Sequence, residues 1–315
     1  MEFSIVNNNE KAVLLLHGLT GTPLELKWVA RDFSKENYDV YFPILPGHCS
    51  SLEEIKNIKW QDLYNFTKDY YLSLKAKYKH VFVGGLCVGG MLSLILAMDF
   101  PDIDGVASWS PVMGINGWAI PWYSFLLPLV LHSPLKHIYS WKEKEPYGIK
   151  NEAMRRKIKQ MMERKENFRA YDKIPATTIL ELNRMSKYIK QNINRLTAPF
   201  IIIHSKEDDL SSIKGAKFIY EKAPSKIKKF VELTNSYHLI TMDNERETVS
   251  KETISFFNGL LKEKRQCLYH RDSFIKNNKG KAVIVGCKTG NAYASETKML
   301  DQILNRVNHS VPFIV

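Results

Sequence analysis

The sequence predicts an α/β fold, a mostly parallel sheet flanked by helices and interrupted by an inserted helical cap. Three observations predict it. Short runs of consecutive apolar residues recur along the chain, the pattern of strands buried on both faces. Stretches with apolar residues at helical spacing separate them, and such alternation argues βαβ units. The alternation lapses between residues 112 and 196 and then resumes, as expected when a segment is inserted between two strands of one sheet.

Taken in order, Ala12–Leu16 (AVLLL) is the first buried strand and stops at His17-Gly18-Leu19-Thr20-Gly21. A helix follows over Pro23–Lys35, with Pro23 suited to a first turn, where its missing N–H costs nothing. Asp39–Phe42 is the next strand and ends in PILPGHCS. Trp60–Lys77 has helical spacing. Val81–Val83 is a β-rich run, Gly84 to Gly90 make a glycine-rich turn, and Met91–Ala97 is an apolar helix. Ile103–Trp109 is a strand closed by Ser110-Pro111. Residues 1–111 and 197–262 thus form one core around a cap at 112–196. The cap holds an aromatic, proline-rich section (GWAIPWYSFLLPLVLHSPL), a basic helical section (NEAMRRKIKQMMERKENFRAYDKI) and a helix over Thr178–Ile193. The core resumes with a strand at Phe200–His204, a helix at Ile213–Lys222, a strand at Lys229–Leu233 and a helix at Glu245–Leu261. Residues 263–315 form a β-α-β-like extension: Ala282–Gly286 and Val311–Val315 read as strands, Glu296–Val307 as a helix. It either packs on the sheet edge or opens a further domain.

Composition narrows the class. The 315 residues are 44% hydrophobic and 25% charged, ordinary for a globular protein. No apolar run reaches the roughly 18–20 residues of a membrane span, and no basic segment leads into a signal-type apolar core. The expectation is a cytoplasmic protein. Cys49, Cys87, Cys267 and Cys287 show no C-x-x-C spacing, so neither a zinc knuckle nor a redox pair is indicated, and no cofactor is expected. A reducing compartment keeps Cys87 a free thiol. The net charge of +12 suits acidic partners, or is a lysine-rich solvated surface. No nucleic-acid motif is present.

Residues 81–97, VFVGGLCVGGMLSLILA, organise the rest. Strand, glycine-rich turn and helix are the context of a nucleophile elbow, G-x-S-x-G, with Cys87 at the centre and Gly85 and Gly89 two positions away. The turn strains its central residue, so its neighbours must be small. Buried free cysteines are also ordinary small hydrophobes. A phosphate loop would end G-K-[ST], whereas Met91 follows Gly90. Three further features share the elbow's placement after a strand. His17-Gly18-Leu19-Thr20-Gly21 has the shape of a loop that lends an amide to an oxyanion hole, the donors being the amides of Leu19 and Val88; such a donor is commonly worth about 3–4 kcal/mol. The loop needs that shape and not the His17 imidazole, which is expected to bond backbone. Lys206-Glu207-Asp208-Asp209 offers an acid to orient a base, with Asp208 preferred to Asp209; it also reads as a helix-capping turn. Asn235-Ser236-Tyr237-His238 offers the base, His238. Nucleophile, acid and base then follow in the order Cys87, Asp208, His238.

These motifs, LLLHGLTGTPLE, PILPGHCS, GGLCVGG, KEDDL and SYHLITMD, resemble the bacterial carboxylesterase and monoacylglycerol-lipase branch of the α/β-hydrolases over residues 10–262. The resemblance implies a capped hydrolase fold acting on esters of acyl chains, with Cys87, Asp208 and His238 as the triad and Leu19 and Val88 as oxyanion donors. Two departures stand out. The family's nucleophile is serine, and its P-G-H-G loop here reads Pro46-Gly47-His48-Cys49. The cysteine box is also similar to polyhydroxyalkanoate synthases and to some cysteine-dependent thioesterases and acyltransferases, and an engineered serine replacement fits one sequence equally.

Cysteine alters the chemistry. Thiol–thioester exchange is close to isoenergetic, so Cys87 loads readily from a coenzyme A or acyl-carrier thioester, while loading from an oxoester is uphill. The expected function is therefore an acyl hydrolase or transferase working on ester or thioester substrates through an acyl-thioester, the acceptor being water, an amine, an alcohol or a thiol. A non-catalytic binding relative is the competing class. In the cap, WAIPWYSFLLPLVL either packs the insertion or lines an acyl tunnel. Lys150, Arg155, Arg156, Lys157, Lys159, Arg164, Lys165, Arg169 and Lys173 outnumber Glu152, Glu163, Glu166 and Asp172, a field suited to coenzyme A, an acyl carrier protein or an anionic lipid surface.

Overall fold

The computed structural model describes residues 3–163, 171 and 173–277. Its strands are β1 (Ser4–Ile5), β2 (Lys11–Leu16), β3 (Asp39–Tyr41), β4 (His80–Leu86), β5 (Val106–Trp109), β6 (Ser140–Lys142), β7 (Lys173–Pro175), β8 (Phe200–Ser205) and β9 (Lys228–Leu233). Its α-helices are α1 (Lys27–Lys35), α2 (Leu52–Asn57), α3 (Trp60–Lys75), α4 (Val88–Asp99), α5 (Leu127–Leu131), α6 (Glu152–Glu163), α7 (Ala176–Asn192), α8 (Ile213–Lys222) and α9 (Arg246–Asn277). Seven strands form one sheet in the order β1-β3-β2-β4-β5-β8-β9; β1 is antiparallel to β3 and every other pair is parallel. This is the α/β-hydrolase fold, a mostly parallel sheet flanked by helices.

Ala12–Leu16, Val81–Val83 and Phe200–Ile203 are wholly buried, as parallel strands covered on both faces must be. The helix after the elbow is apolar all round, and residues 88–98 are all buried, so α4 is an interior helix rather than an amphipathic one. That placement directs the loops: the HGLTG loop, the elbow, the acidic turn and the histidine loop leave the C-terminal ends of β2, β4, β8 and β9, where open parallel sheets bind ligands.

Several expectations change in detail. The helix expected at Pro23 opens with a 3-10 turn, Pro23–Leu26, before α1. The cap is not purely helical, because β6 and β7 pair as an antiparallel ribbon. Its own core packs Leu131 against Ala176, Ile179 and Leu180. The aromatic stretch does not act as one unit. Ala119, Ile120, Pro121 and Tyr123 line a cavity, and Leu131 is buried, while Trp122, Phe125 and Leu129 are 83%, 66% and 70% exposed. α9 runs to Asn277 instead of stopping at Leu261; no proline or glycine interrupts residues 260–277. The expected strands at Ala282–Gly286 and Val311–Val315 and the helix at Glu296–Val307 lie outside the described residues.

Candidate active site

The elbow is built by close backbone approach. Cys87 has φ 55° and ψ −114°, a conformation that costs an L-residue energy. Its amide donates to the Trp109 carbonyl at 2.8 Å, tying the turn to β5, and its carbonyl accepts the Met91 amide at 3.1 Å, starting α4. A Cβ on Gly85 would lie 2.3 Å from the Gly89 carbonyl carbon, and one on Gly89 would lie 2.1 Å from the Leu16 carbonyl oxygen. Both glycines are therefore steric necessities. They bring the end of β2, which carries the HGLTG loop, against the first turn of α4.

His17 is buried and bonds backbone on both sides: its Nε2 accepts the Leu45 amide at 3.1 Å, and Nδ1 lies 2.9 Å from the Gly18 carbonyl. Burial, with His48 beside it, holds its pKa well below the ordinary value, so it is a neutral structural imidazole. His48, from the PGHC loop, reaches the Leu19 carbonyl oxygen through Nε2 at 2.5 Å and props the loop from below. Cys49, the last residue of that loop, sits at φ 55°, the left-handed region that glycine enters freely.

After β8, Asp208 is buried in the turn. Its Oδ1 accepts the amides of Leu210 and Ser211 at 2.8 and 2.7 Å, and its Oδ2 lies 2.7 Å from His238 Nδ1. Burial works against the carboxylate charge, but His238, then His204 and the Ser211 amide, outweigh it and hold the group below its usual range. Asp209 serves the backbone instead, accepting the His238 amide at 3.2 Å; burial and the neighbouring Asp208 charge push its carboxyl up. His238 is buried too. Burial lowers its pKa, yet Asp208 first and then Cys87 carry it well above the ordinary value. Its Nε2 faces the Cys87 side chain.

Cys87, His238, Gly18, Leu19 and Asp209 line one cavity of about 330 Å³, at the small end of ligand pockets. Val88 is not among its lining residues, although its amide is adjacent to Cys87 at the head of α4. Among the described residues the Leu19 and Val88 amides have no protein acceptor.

The cap is bolted to the histidine loop. Asp243 accepts the amides of Lys150 and Asn151 at 2.7 and 2.8 Å and that of Tyr237 at 2.7 Å. The Leu239 amide donates to the Gly148 carbonyl at 2.8 Å. A Cβ on Gly148, already at φ 69°, would lie 3.2 Å from that of His238, so only glycine lets the cap approach this closely. Gly148 was missed by sequence reasoning; Glu25 and Asp243 lay inside the LLLHGLTGTPLE and SYHLITMD motifs without a role. Of the cap's basic residues, Lys150 pairs with Glu207 and Lys159 with Glu145. Residues 164–170 lie outside the description.

Comparison with known proteins agrees with this architecture. Residues 7–245 match the Hydrolase_4 family model, described as serine aminopeptidase, S33. The chain is 29% identical to a thermostable monoacylglycerol lipase of Bacillus sp. (strain H-257) over 258 residues, covering 79% of this chain and 91% of the relative. It is 25% identical to a carboxylesterase of Bacillus subtilis (strain 168), covering 80% and 94%. Among solved structures, a metagenome-derived lipolytic enzyme of the LipS and LipT study superposes with a TM-score of 0.69 at 23% identity, covering 82% and 97%. The monoacylglycerol lipase of Paleococcus ferrophilus gives 0.68 at 18%, covering 82% and 99%. With a family model matched over most of its length, the chain belongs to the Hydrolase_4 (serine aminopeptidase, S33) family and is a carboxylic ester hydrolase of the α/β-hydrolase superfamily.

Proposed function

We propose that the protein cleaves or transfers acyl groups of ester and thioester substrates through a covalent acyl-thioester on Cys87, with His238 as base and acid and Asp208 as its orienting carboxylate. The observation that carries this reading is the line from Asp208 Oδ2 through the His238 ring to Cys87 at one wall of the cavity. His238 Nε2 takes the thiol proton as Sγ attacks the substrate carbonyl carbon. The carbonyl oxygen becomes an oxyanion held by the Leu19 and Val88 amides. Collapse breaks the bond to the leaving oxygen or sulfur, which departs with the proton from His238. In the second half, His238 deprotonates the acceptor, the acceptor attacks the thioester, and Sγ leaves to recover the proton.

Cys87 favours thioester donors, since the exchange conserves bond type. It equally favours amine or thiol acceptors over water, because thioesters react with them more readily. An acyl group taken from coenzyme A or an acyl carrier protein and passed to an amine, alcohol or thiol is therefore the second reading. The proposed role needs Cys87 as a free thiol, which a reducing compartment such as the cytoplasm keeps.

An anionic lipid surface is the partner we assign to the cap. Trp122, Phe125, Leu129 and Ile138 are 83%, 66%, 70% and 77% exposed. Residues 111–142 contain no aspartate or glutamate. Exposed aromatics with neighbouring lysines suit an anionic interface. No helix among the described residues is long and apolar enough to cross a membrane.

Intact-mass spectrometry after incubation with acyl-CoA, an acyl carrier protein or a simple ester tests the mechanism. The expected result is an acyl adduct on the protein that is absent from Cys87→Ala and forms faster from the thioesters. An adduct or full turnover persisting in Cys87→Ala would sink it.

A further inference from the structure

Glu25 is a buried carboxyl group that the chemistry above leaves unused. It stands in the 3-10 turn after the HGLTG loop and lines the same cavity as Cys87 and His238. Its Oε2 accepts the Gly18 amide at 3.2 Å. A Cβ on Gly18 would lie 3.4 Å from that oxygen and 3.6 Å from the Cys87 Cβ, so carboxyl and thiol side chain flank one glycine. A Cβ on Gly21 would lie 1.9 Å from Oε1; the carboxyl fills the space that a side chain there would need. Gly21 is thus what lets Glu25 fold back beneath the loop.

The charged groups around it are few. Among the described residues no lysine or arginine is paired with Glu25, and the histidine loop supplies His238. The elbow supplies Cys87 and the acidic turn Asp209, while the cap rim supplies Lys142, Lys144, Glu143 and Glu145, the last paired with Lys159. An ionised Glu25 therefore adds negative charge to a cavity where an oxyanion must form, with His238 as the histidine that acts on it.

We propose that Glu25 is a positioning residue of the oxyanion loop that supports reaction only while neutral: its carbonyl oxygen pins the Gly18 amide and so aims the Leu19 amide, and its ionisation opposes the oxyanion and slows acyl transfer. This rests on the acyl-enzyme reading of Cys87. Burial pushes the group up to about 7 against the opposing Gly18 and Thr22 amides and His238, which puts the transition inside the working range.

The test is the pH profile of kcat/KM for a small neutral thioester in wild type and Glu25→Gln, which keeps the acceptor and cannot ionise. Wild type should fall about tenfold per pH unit above about 7, and Glu25→Gln should stay level by comparison to pH 9. Glu25→Ala should lower kcat at every pH with little change in KM, because the loop loses its pin. Gly21→Ala should mimic it, and Gly21→Ala/Glu25→Ala should be no worse than Gly21→Ala alone. An unchanged alkaline limb in Glu25→Gln, or additive losses in the double variant, overturns the proposal. Acylation of wild-type Cys87 measured by mass at pH 6 separates the two readings: its failure removes the acyl-enzyme mechanism, whereas normal acylation with an unaltered limb removes only the role of Glu25.

Discussion

Glu25 also makes a thermodynamic prediction that needs no substrate. The group titrates near 4.5 in an unfolded chain and near 7 in the folded protein, because burial disfavours its charge. A folded pKa raised in an acid means that the folded state binds the proton more tightly. Below about 4.5 both states are protonated and the group is neutral to stability. Between 4.5 and 7 the unfolded chain ionises while the folded one does not, so stability is lost as pH rises; above 7 the loss is complete. The displacement corresponds to about 3 kcal/mol, of the order of a third of a typical domain's stability. Urea denaturation of wild type and Glu25→Gln at pH 5, 6, 7 and 8 measures it, since the other titrating groups cancel to first order in the difference. The variant should gain on wild type by about 3 kcal/mol across that window and by nothing further above pH 8. A difference that is flat with pH would refute the raised pKa and remove the physical basis of the pH dependence proposed for Glu25.

Two more outcomes follow from the site and the cap. Asp208→Asn should lower kcat by up to about 10⁴-fold, because an amide presents the wrong partner to His238 Nδ1; Asp209→Asn keeps an acceptor for the His238 amide and should cost under about tenfold. Steady-state kinetics ranks them, and the reverse order moves the orienting role to Asp209. Arg156 and Lys157 are exposed on α6, so Arg156→Glu/Lys157→Glu should weaken binding to anionic vesicles in low salt and spare a small neutral ester. Equal loss on both, or indifference to ionic strength, reduces the cluster to a solvated surface.

The fold was legible wherever burial on both faces stamps itself on composition. AVLLL, VFV and FIII read as strands because nothing polar survives between two helical layers. What escaped was short or non-local. β1 has two residues and β6 and β7 three each, below any periodicity, and β6 meets its partner from beyond α6. Glu25 reads locally as an acid in a helix's first turn. Only the fold-back onto Gly18 turns it into a cavity wall. Adjacent aspartates are alike in sequence, and the turn separates them by handing Asp208 the Leu210 and Ser211 amides and Asp209 the His238 amide.

The cysteine reverses that relation, for there the sequence says more than the backbone. Gly85, Gly89 and the Trp109 carbonyl fix the position of residue 87 through main-chain contacts alone. Those contacts would hold a serine in the same place, so the elbow is indifferent to oxygen or sulfur. The difference enters only when a bond forms to carbon. A serine ester conserves bond type with ester donors, whereas a cysteine thioester conserves it with thioester donors and passes its acyl group on to amines and thiols more readily than to water. The architecture that places the chain among the α/β-hydrolases therefore carries no preference between hydrolysis and transfer. On the acyl-thioester mechanism we propose, that preference rests on one atom, Cys87 Sγ, and on which acceptor the cavity admits after the first half-reaction.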